Sequence, residues 1–295
     1  MADHDGLAQQ FEENRSHLRA VAYRMLGSLS EADDAVQEAW LRLSRSDGDE
    51  IENLGGWLTT VVARVCLDIL RSRQSKKEES LSAQISEPVA SPEAAMNPEQ
   101  EAVLADSVGL ALLVVLDRLA PAERLAFVLH DLFAVSFEEI GTIVGRSPAA
   151  ARQLASRARR RVHGGSTPSA SSLHSQRRVV DAFLTALRAG DFEGLLAVLD
   201  PDVVVRIDEA AARPGAPREI HGARNWAQGA IAFSKGLQFI QPAIIDGSVG
   251  LIWAPHGSLF RALVLKISEG RIIQVEIVGD PGRLQELDIG LPVSR

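Results

Sequence analysis

Apolar residues recur at helical spacing through the first 160 positions, and then the period changes. Leu7, Phe11, Leu18, Val21, Ala22 and Met25 mark one face of a first helix, which Gly27 stops. Ser30 is the predicted cap of the next helix, with Asp33 as its capping-box partner three residues on. Ala32, Ala35, Val36, Ala39, Trp40 and Leu43 form its apolar stripe. A polar, acidic loop over 44–56 leads to a third helix over about 57–77, with Trp57, Val61, Val65 and Ile69 on one side. Residues 80–97 turn to Ser, Ala, Glu and Pro, the composition of a linker. Asn97-Pro98 then opens a helix that runs to about Leu119. Pro121 to Phe133 is read as another helix. Ser136 with Glu139 forms a second capping box for a short helix ending at Gly145, and Ser147-Pro148 starts the last helix of this half.

Beyond a Gly/Ser/Pro-rich linker over 164–174 the pattern differs. Two helices (about 175–189 and 192–199) precede a strand at 202–207, and a further helix is predicted at 223–234. Strands follow at 237–245, 249–253, 259–268 and 271–278, with Asp246-Gly247 and Glu269-Gly270 as turn signals. Helices followed by a meander of strands describe a separate α+β domain.

The 295 residues suffice for two to three small domains, and 46% hydrophobic content allows sizeable cores. The formal net charge of −8 means that any contact with nucleic acid must rest on local basic patches. The one cysteine, Cys66, lies in an apolar helical pattern and reads as a small buried hydrophobe in a reducing compartment. Met1–Gly6 is acidic, without the order of a signal peptide, and the longest apolar run, Val108–Leu116, is too short to span a bilayer. The expectation is a cytoplasmic protein with no membrane contact.

Phe137 to Val162 fits helix, tight turn, helix. On a wheel of about 100° per residue, Ala151, Leu154, Ala155, Ala158 and Val162 fall in one stripe of the second helix. Ala149, Gln153, Ser156 and Arg160 lie on the opposite side with Arg152 and Arg157 flanking them, a face that suits a major-groove reader. An ordinary reading stays open beside this one: arginines near a helix carboxy-terminus also favour its dipole.

Longer motifs add to the helix-turn-helix. Ala22 to Ser28, Glu31 to Arg42 and Gly56 to Arg73 resemble region two of extracytoplasmic-function sigma factors, and Leu119 to Asp131 with Ser136 to Ile140 resembles region four. The resemblance spans about 7–163 in two blocks in the family order. It implies that Asp34, Gln37 and Glu38, with Asp33 beside them, dock on core RNA polymerase. It also implies that the helix from Trp57 meets the minus-ten promoter element, with Arg64, Arg71, Arg73, Lys76 and Lys77 facing the DNA backbone. The second helix of the helix-turn-helix then faces the minus-thirty-five element. For the acidic face, a plain solvated surface is the alternative.

The tail resembles the SnoaL-like domains, of cone-shaped α+β fold, that one branch of this family carries. Its candidate pocket residues are Asp208, His221, Trp226, Trp253 and His256, each of which also fits a core or surface role. The branch's linker and tail motifs are not reproduced: only Glu87-Pro88 stands in the linker, and Asp208 is followed by Glu209-Ala210-Ala211. The only tyrosine, Tyr23, lies outside this domain, so an oxyanion hole of Tyr and neutral Asp lacks a part, and no residue set has metal-ligand spacing. The expected architecture is therefore two all-α domains, regions two (1–79) and four (98–163), followed by an α+β domain (175–295). The expected function is a sigma factor rather than an enzyme, with no cofactor or metal. Its expected partners are core RNA polymerase, promoter DNA and an unidentified small molecule in the tail. A ligand-responsive repressor and a DNA-anchored isomerase are the competing classes.

Overall fold

Helix ends in this chain are set by short polar caps and by arginines, and these decide how the first helices meet. A computed structural model describes residues 2–46, 51–82, 109–164, 170–212, 215–232 and 237–291. They form two compact units, one drawn from 1–95 and 116–159, the other from 96–115 and 160–295.

In the first unit, α1 (Ala2–Leu26) packs against both α2 (Leu29–Leu43) and α3 (Leu54–Ser82). The cap of α2 is Ser28, whose hydroxyl accepts the Glu31 N–H, and not Ser30 as the sequence suggested. The turn at Gly27 brings the helix start two residues forward. Ser30 instead lies 3.1 Å from the Ser28 hydroxyl. Asp33 is not a capping-box partner: both its oxygens accept from Arg19, at 2.6 and 3.0 Å. The predicted stripe of Ala32, Ala35, Val36, Ala39 and Leu43 is buried, while Trp40 is half-buried, its ring 5.0 Å from Phe11. The first residues of the expected 80–97 linker continue α3 to Ser82. The rest of that linker and the Asn97-Pro98 helix start lie outside the described residues.

The second helical block runs through α4 (Leu110–Asp117), α5 (Pro121–Phe127), α6 (Phe137–Val144) and α7 (Pro148–Val162). The single helix expected over 121–133 is in fact α5 followed by one π-helical turn, Val128–Leu132, which ends near Ala134 at φ 56°. The Ser136–Glu139 capping box forms with both of its bonds. Gly145 closes α6 in the left-handed region (φ 70°), and the Ser147 hydroxyl accepts the Ala150 N–H at the start of α7.

Two arginines cap the carboxy-terminus of α1. Arg124 of α5, 2% exposed, donates from Nε and Nη2 to the Arg24 carbonyl at 3.3 and 3.2 Å. Arg73 of α3 donates to the Leu26 carbonyl at 3.2 Å. Both satisfy carbonyls that the helix leaves unpaired, at its negative end. Burial pushes the Arg124 guanidinium down to about 10, opposed by Asp117, so it stays charged at neutral pH. Burial raises the nearby Cys66 thiol to about 12, which keeps it neutral and inert.

The second unit holds α8 (Ala170–Ala189), α9 (Phe192–Val198), β1 (Leu199–Ile207), β2 (Glu219–His221), α10 (Ala223–Ala232), β3 (Ile240–Ile245), β4 (Ser248–Trp253), β5 (Arg261–Ser268), β6 (Arg271–Val278), α11 (Pro281–Glu286) and β7 (Ile289–Gly290). The sheet order is β2-β1-β6-β5-β4-β3-β7. Every described pairing is antiparallel except β1 with β6, which is parallel. Phe183, Leu184, Leu195, Trp226 and Ala227 from the helices pack on Val203, Val205, Leu251, Leu265 and Val275 from the sheet. Asp246-Gly247 and Glu269-Gly270 turn the hairpins with positive φ at both central residues, the requirement of a type I′ turn. The strand β2, the helix α11 and the two-residue β7 were not anticipated.

Arg124→Met is expected to destabilise the first unit by about 3 kcal/mol, the scale of losing hydrogen bonds made by a buried charged donor. Denaturant unfolding measures it; an unchanged midpoint would show that the Arg24 carbonyl does not depend on this cap.

Candidate nucleic-acid and polymerase interfaces

The second helix of the helix-turn-helix, α7, is oriented by what it buries. Ala151, Leu154, Ala155, Ala158 and Val162 are all buried, and Arg152, Gln153, Ser156, Arg157 and Arg160 are all exposed, as the wheel required. Arg152 has a fixed neighbour, its guanidinium lying 5.1 Å from the Phe137 ring centroid. Phe137 is stacked on His130 at 3.9 Å, and His130 Nδ1 lies 3.0 Å from the Val135 carbonyl. This chain of contacts restrains Arg152 at the amino-terminal half of α7. Arg159 is turned back on Asp131 at 2.5 Å, an ion pair that anchors α7 on the preceding turn.

On α3, Arg64, Arg71 and Lys76 are exposed, with Asp68 3.9 Å from Arg71. The Lys77 side chain lies outside the described residues. Arg73 stands apart from the others. It pairs with Glu31 of α2 while capping α1, so its charge is already engaged inside the helical unit. On α2, Asp34 and Gln37 are exposed. Glu38 pairs with Arg42 one turn on at 2.9 Å, and Asp33 is held by Arg19. Gln37 also lines an open groove of about 90 Å³ with Ala8, Phe11, Glu12, Arg15 and Trp40.

The five tail residues are not brought together. Asp208 sits at the end of β1 and accepts the backbone N–H groups of Ala211, Gly279 and Asp280 at 2.8–2.9 Å. Burial alone would raise its carboxyl, but these three donors and Arg283 outweigh that and hold it below the ordinary carboxylate range. His221 is 68% exposed and pairs with Glu219. Trp226 is buried in the core of the domain, its indole N–H without a hydrogen-bond partner among the described residues. Trp253 packs edge-on against Phe260 and beneath Arg261. The His256 side chain lies outside the described residues. Among the described residues, no group of three or more His, Cys, Asp or Glu side chains forms a metal cluster, and no helix is long and apolar enough to cross a membrane.

A Sigma-70 region 2 model matches residues 10–76, and a Sigma-70 region 4 model matches 109–162. The chain is 34% identical over 296 residues to the probable ECF RNA polymerase sigma factor SigI of Mycobacterium tuberculosis, covering 97% of this chain and 98% of that protein. It is 36% identical over 287 residues to SigJ of the same organism, covering 93% and 92%. This chain belongs to the extracytoplasmic-function (ECF) sigma factors. As such it binds core RNA polymerase and directs promoter-specific initiation of transcription. The crystal structure of the Mycobacterium tuberculosis SigJ covers 97% of this chain at 32% identity, with a TM-score of 0.46. An NTF2-like protein of unknown function from Burkholderia xenovorans covers 42% at 14% identity, with a TM-score of 0.28. The fold class is that of the family, two helical sigma regions with an α+β domain after them.

In this ECF sigma factor, sequence reasoning missed the structural arginines and the Phe137–His130 stack. The wheel gave the exposed side of α7 but could not show which arginines meet an intramolecular acid. Arg73→Ala is therefore expected to lower the melting temperature of the sigma regions, while Arg64→Ala and Arg71→Ala leave it unchanged. Equal melting of all three would place Arg73 outside the helical framework. Asp208 makes a separate prediction for the tail. Its depressed carboxyl contributes stability above about pH 4, the ordinary unfolded value, and that contribution is lost as the pH falls through its lower folded value. Melting curves of the parent from pH 7 to 3 should show this loss, and Asp208→Ala should flatten it.

Proposed function

We propose that promoter and polymerase recognition divide over three exposed faces of this sigma factor, and that the carboxy-terminal domain regulates rather than catalyses. Residues 1–79 serve region two and 98–163 region four, with 175–295 as the regulatory domain. Arg152, Gln153, Ser156, Arg157 and Arg160 read the minus-thirty-five element. The observation that carries this is the clean split of α7, apolar residues inward and Arg, Gln and Ser outward. Arg64, Arg71, Lys76 and Lys77 hold the backbone at the minus-ten element, with Arg73 setting the pose of their helix. Asp34 and Gln37 lead the polymerase contact, flanked by Asp33 and Glu38. The protein acts in the cytoplasm, where its polymerase and promoters are found. For a small molecule in the tail, the support is one atom. The orphaned indole N–H of Trp226 is a buried donor that a ligand acceptor would satisfy. Changes in tryptophan emission on adding candidate ligands to the parent, absent in Trp226→Phe, would test it; emission changes that persist in Trp226→Phe would remove Trp226 from the ligand's contacts.

Run-off transcription by core polymerase, with and without the full-length and tail-deleted proteins, tests the whole reading. Asp34→Lys should leave stability within about 0.5 kcal/mol, as exposed sites usually do, and weaken core binding by several kcal/mol through like-charge contact. Gln153→Ala should cost on the order of 1–3 kcal/mol on the cognate minus-thirty-five sequence and little on others. Equal loss on every sequence would make Gln153 a phosphate contact. Parental core binding by Asp34→Lys would move the docking surface elsewhere.

A further inference from the structure

An arginine on a solvated helix face gives up rotamer freedom when it meets a base, and that loss is set against the contact it makes. Its guanidinium is also flat, so a two-bond contact with a base edge depends on the tilt of the plane. A neighbour that holds the plane before DNA arrives removes part of the cost. Among the described residues, Arg152 is the one outward arginine of α7 with such a neighbour: its Cζ lies 5.1 Å from the Phe137 ring centroid. Arg157 and Arg160 are exposed with no aromatic ring beside them among the described residues.

Phe137 does not belong to α7. It is the first residue of α6, where the Ser136–Glu139 capping box sets the backbone, and it is half-buried. Its ring is held by His130, which stacks on it with centroids 3.9 Å apart and 29° between the planes. His130 lies in the π-helical turn Val128–Leu132, with Nδ1 3.0 Å from the Val135 carbonyl. A carbonyl only accepts, so Nδ1 carries the proton and the imidazole plane is fixed.

The backbone that delivers His130 departs from regular helix in two ways. The turn is π-helical, a form met mostly as single turns at functional sites, and Ala134 after it stands in the left-handed region at φ 56°. The Ala134 N–H donates to the His130 carbonyl at 3.1 Å and the Val135 N–H to the Leu129 carbonyl at 2.9 Å, which closes the turn. Backbone of this kind persists only where its surroundings over-determine it, and its outcome here is a ring laid on Phe137. The same turn holds α7 itself, through Asp131 and Arg159.

One path therefore runs from the turn to the ring to the guanidinium. We infer that Phe137, held by His130, is a positioning residue for Arg152 and sets promoter selectivity at the base that Arg152 meets. The inference deepens the reading of Arg152 as a minus-thirty-five contact and rests on it.

Holoenzyme reconstituted from core polymerase and the full-length chain, bound to a duplex library randomised through both promoter elements, tests this when the bound sequences are read position by position. Arg152→Ala should flatten the base preference at one position and leave the others. Phe137→Leu and His130→Gln should lower the preference at that same position by roughly three- to tenfold, the scale of ordering one long side chain on binding. Phe137→Tyr, which keeps the ring, should restore the parental preference. An equal loss at every position in Phe137→Leu would reflect packing at the start of α6, and the decision then passes to His130→Gln, whose amide still offers a donor to the Val135 carbonyl. Parental preference at the Arg152 position in either variant overturns the inference, as does a loss spread equally over all positions in His130→Gln, or a loss in Phe137→Tyr as large as in Phe137→Leu. Should Arg152→Ala itself leave every position as in the parent, the minus-thirty-five reading of Arg152 fails, and the inference with it.

Discussion

Removing a guanidinium from water costs several kcal/mol, and the first helical unit accepts that cost at Arg124 because the carboxy-terminus of α1 requires a donor. The last carbonyls of α1 meet donors from α3 and α5, of which Arg124 is buried. Arg124 meets the Arg24 carbonyl with two N–H groups and Asp117 with another, and Arg73 meets the Leu26 carbonyl. The helix dipole adds to both, since the negative end of α1 faces two positive charges. The position of α5 on α1 follows from this pairing, and with it the π-helical turn whose Phe133 ring lies beneath Arg24 at 5.2 Å.

The same economy of charge explains how an acidic protein presents basic surfaces. With a formal charge of −8, arginines cannot be read as a solvated excess. Arg19, Arg42, Arg73 and Arg159 each meet an acid of the same unit, on Asp33, Glu38, Glu31 and Asp131. Arg42–Glu38 lies within α2, and the other three fix α1 to α2, α2 to α3, and α7 to the turn before α6. Exposed pairs of this kind contribute about 1 kcal/mol or less each, so their effect is to set geometry more than stability. Arg64, Arg152, Arg157 and Arg160 point outward from helices whose orientation the paired arginines help to set.

How much of this was legible depends on the range of the interaction. Ser136–Glu139 and the α7 stripe are local, and both could be read directly from residue spacing. Ser30 and Asp33 showed the same spacing and misled, because a capping box competes with any longer-range partner, and Arg19 lies one helix away in space but fourteen residues away in sequence. In the tail, the hairpin turns were visible as Asp-Gly and Glu-Gly. The parallel pairing of β1 with β6 was not: Val205 opposite Val275 joins strands seventy residues apart, and nothing in either strand encodes the other. Asp208 is a further case. It was a pocket candidate in the sequence, yet its oxygens accept three backbone N–H groups and tie the end of β1 to the segment after β6.

The motifs that mark a family need not be the residues that touch its partners. Leu119 to Arg124 carries part of the likeness to region four, but Glu123 and Arg124 are 6% and 2% exposed, beyond the reach of DNA or another protein in this form. What they supply is the placement of a helix on α1. Gln153 and Arg157, which stand outside the quoted motifs, are the side chains that face outward. A framework must stay constant for the helices to dock, whereas a reading face can vary with the sequence it reads. The framework residues therefore identify the fold of this sigma factor, while the exposed residues of α7 lie outside the motifs that carry the likeness.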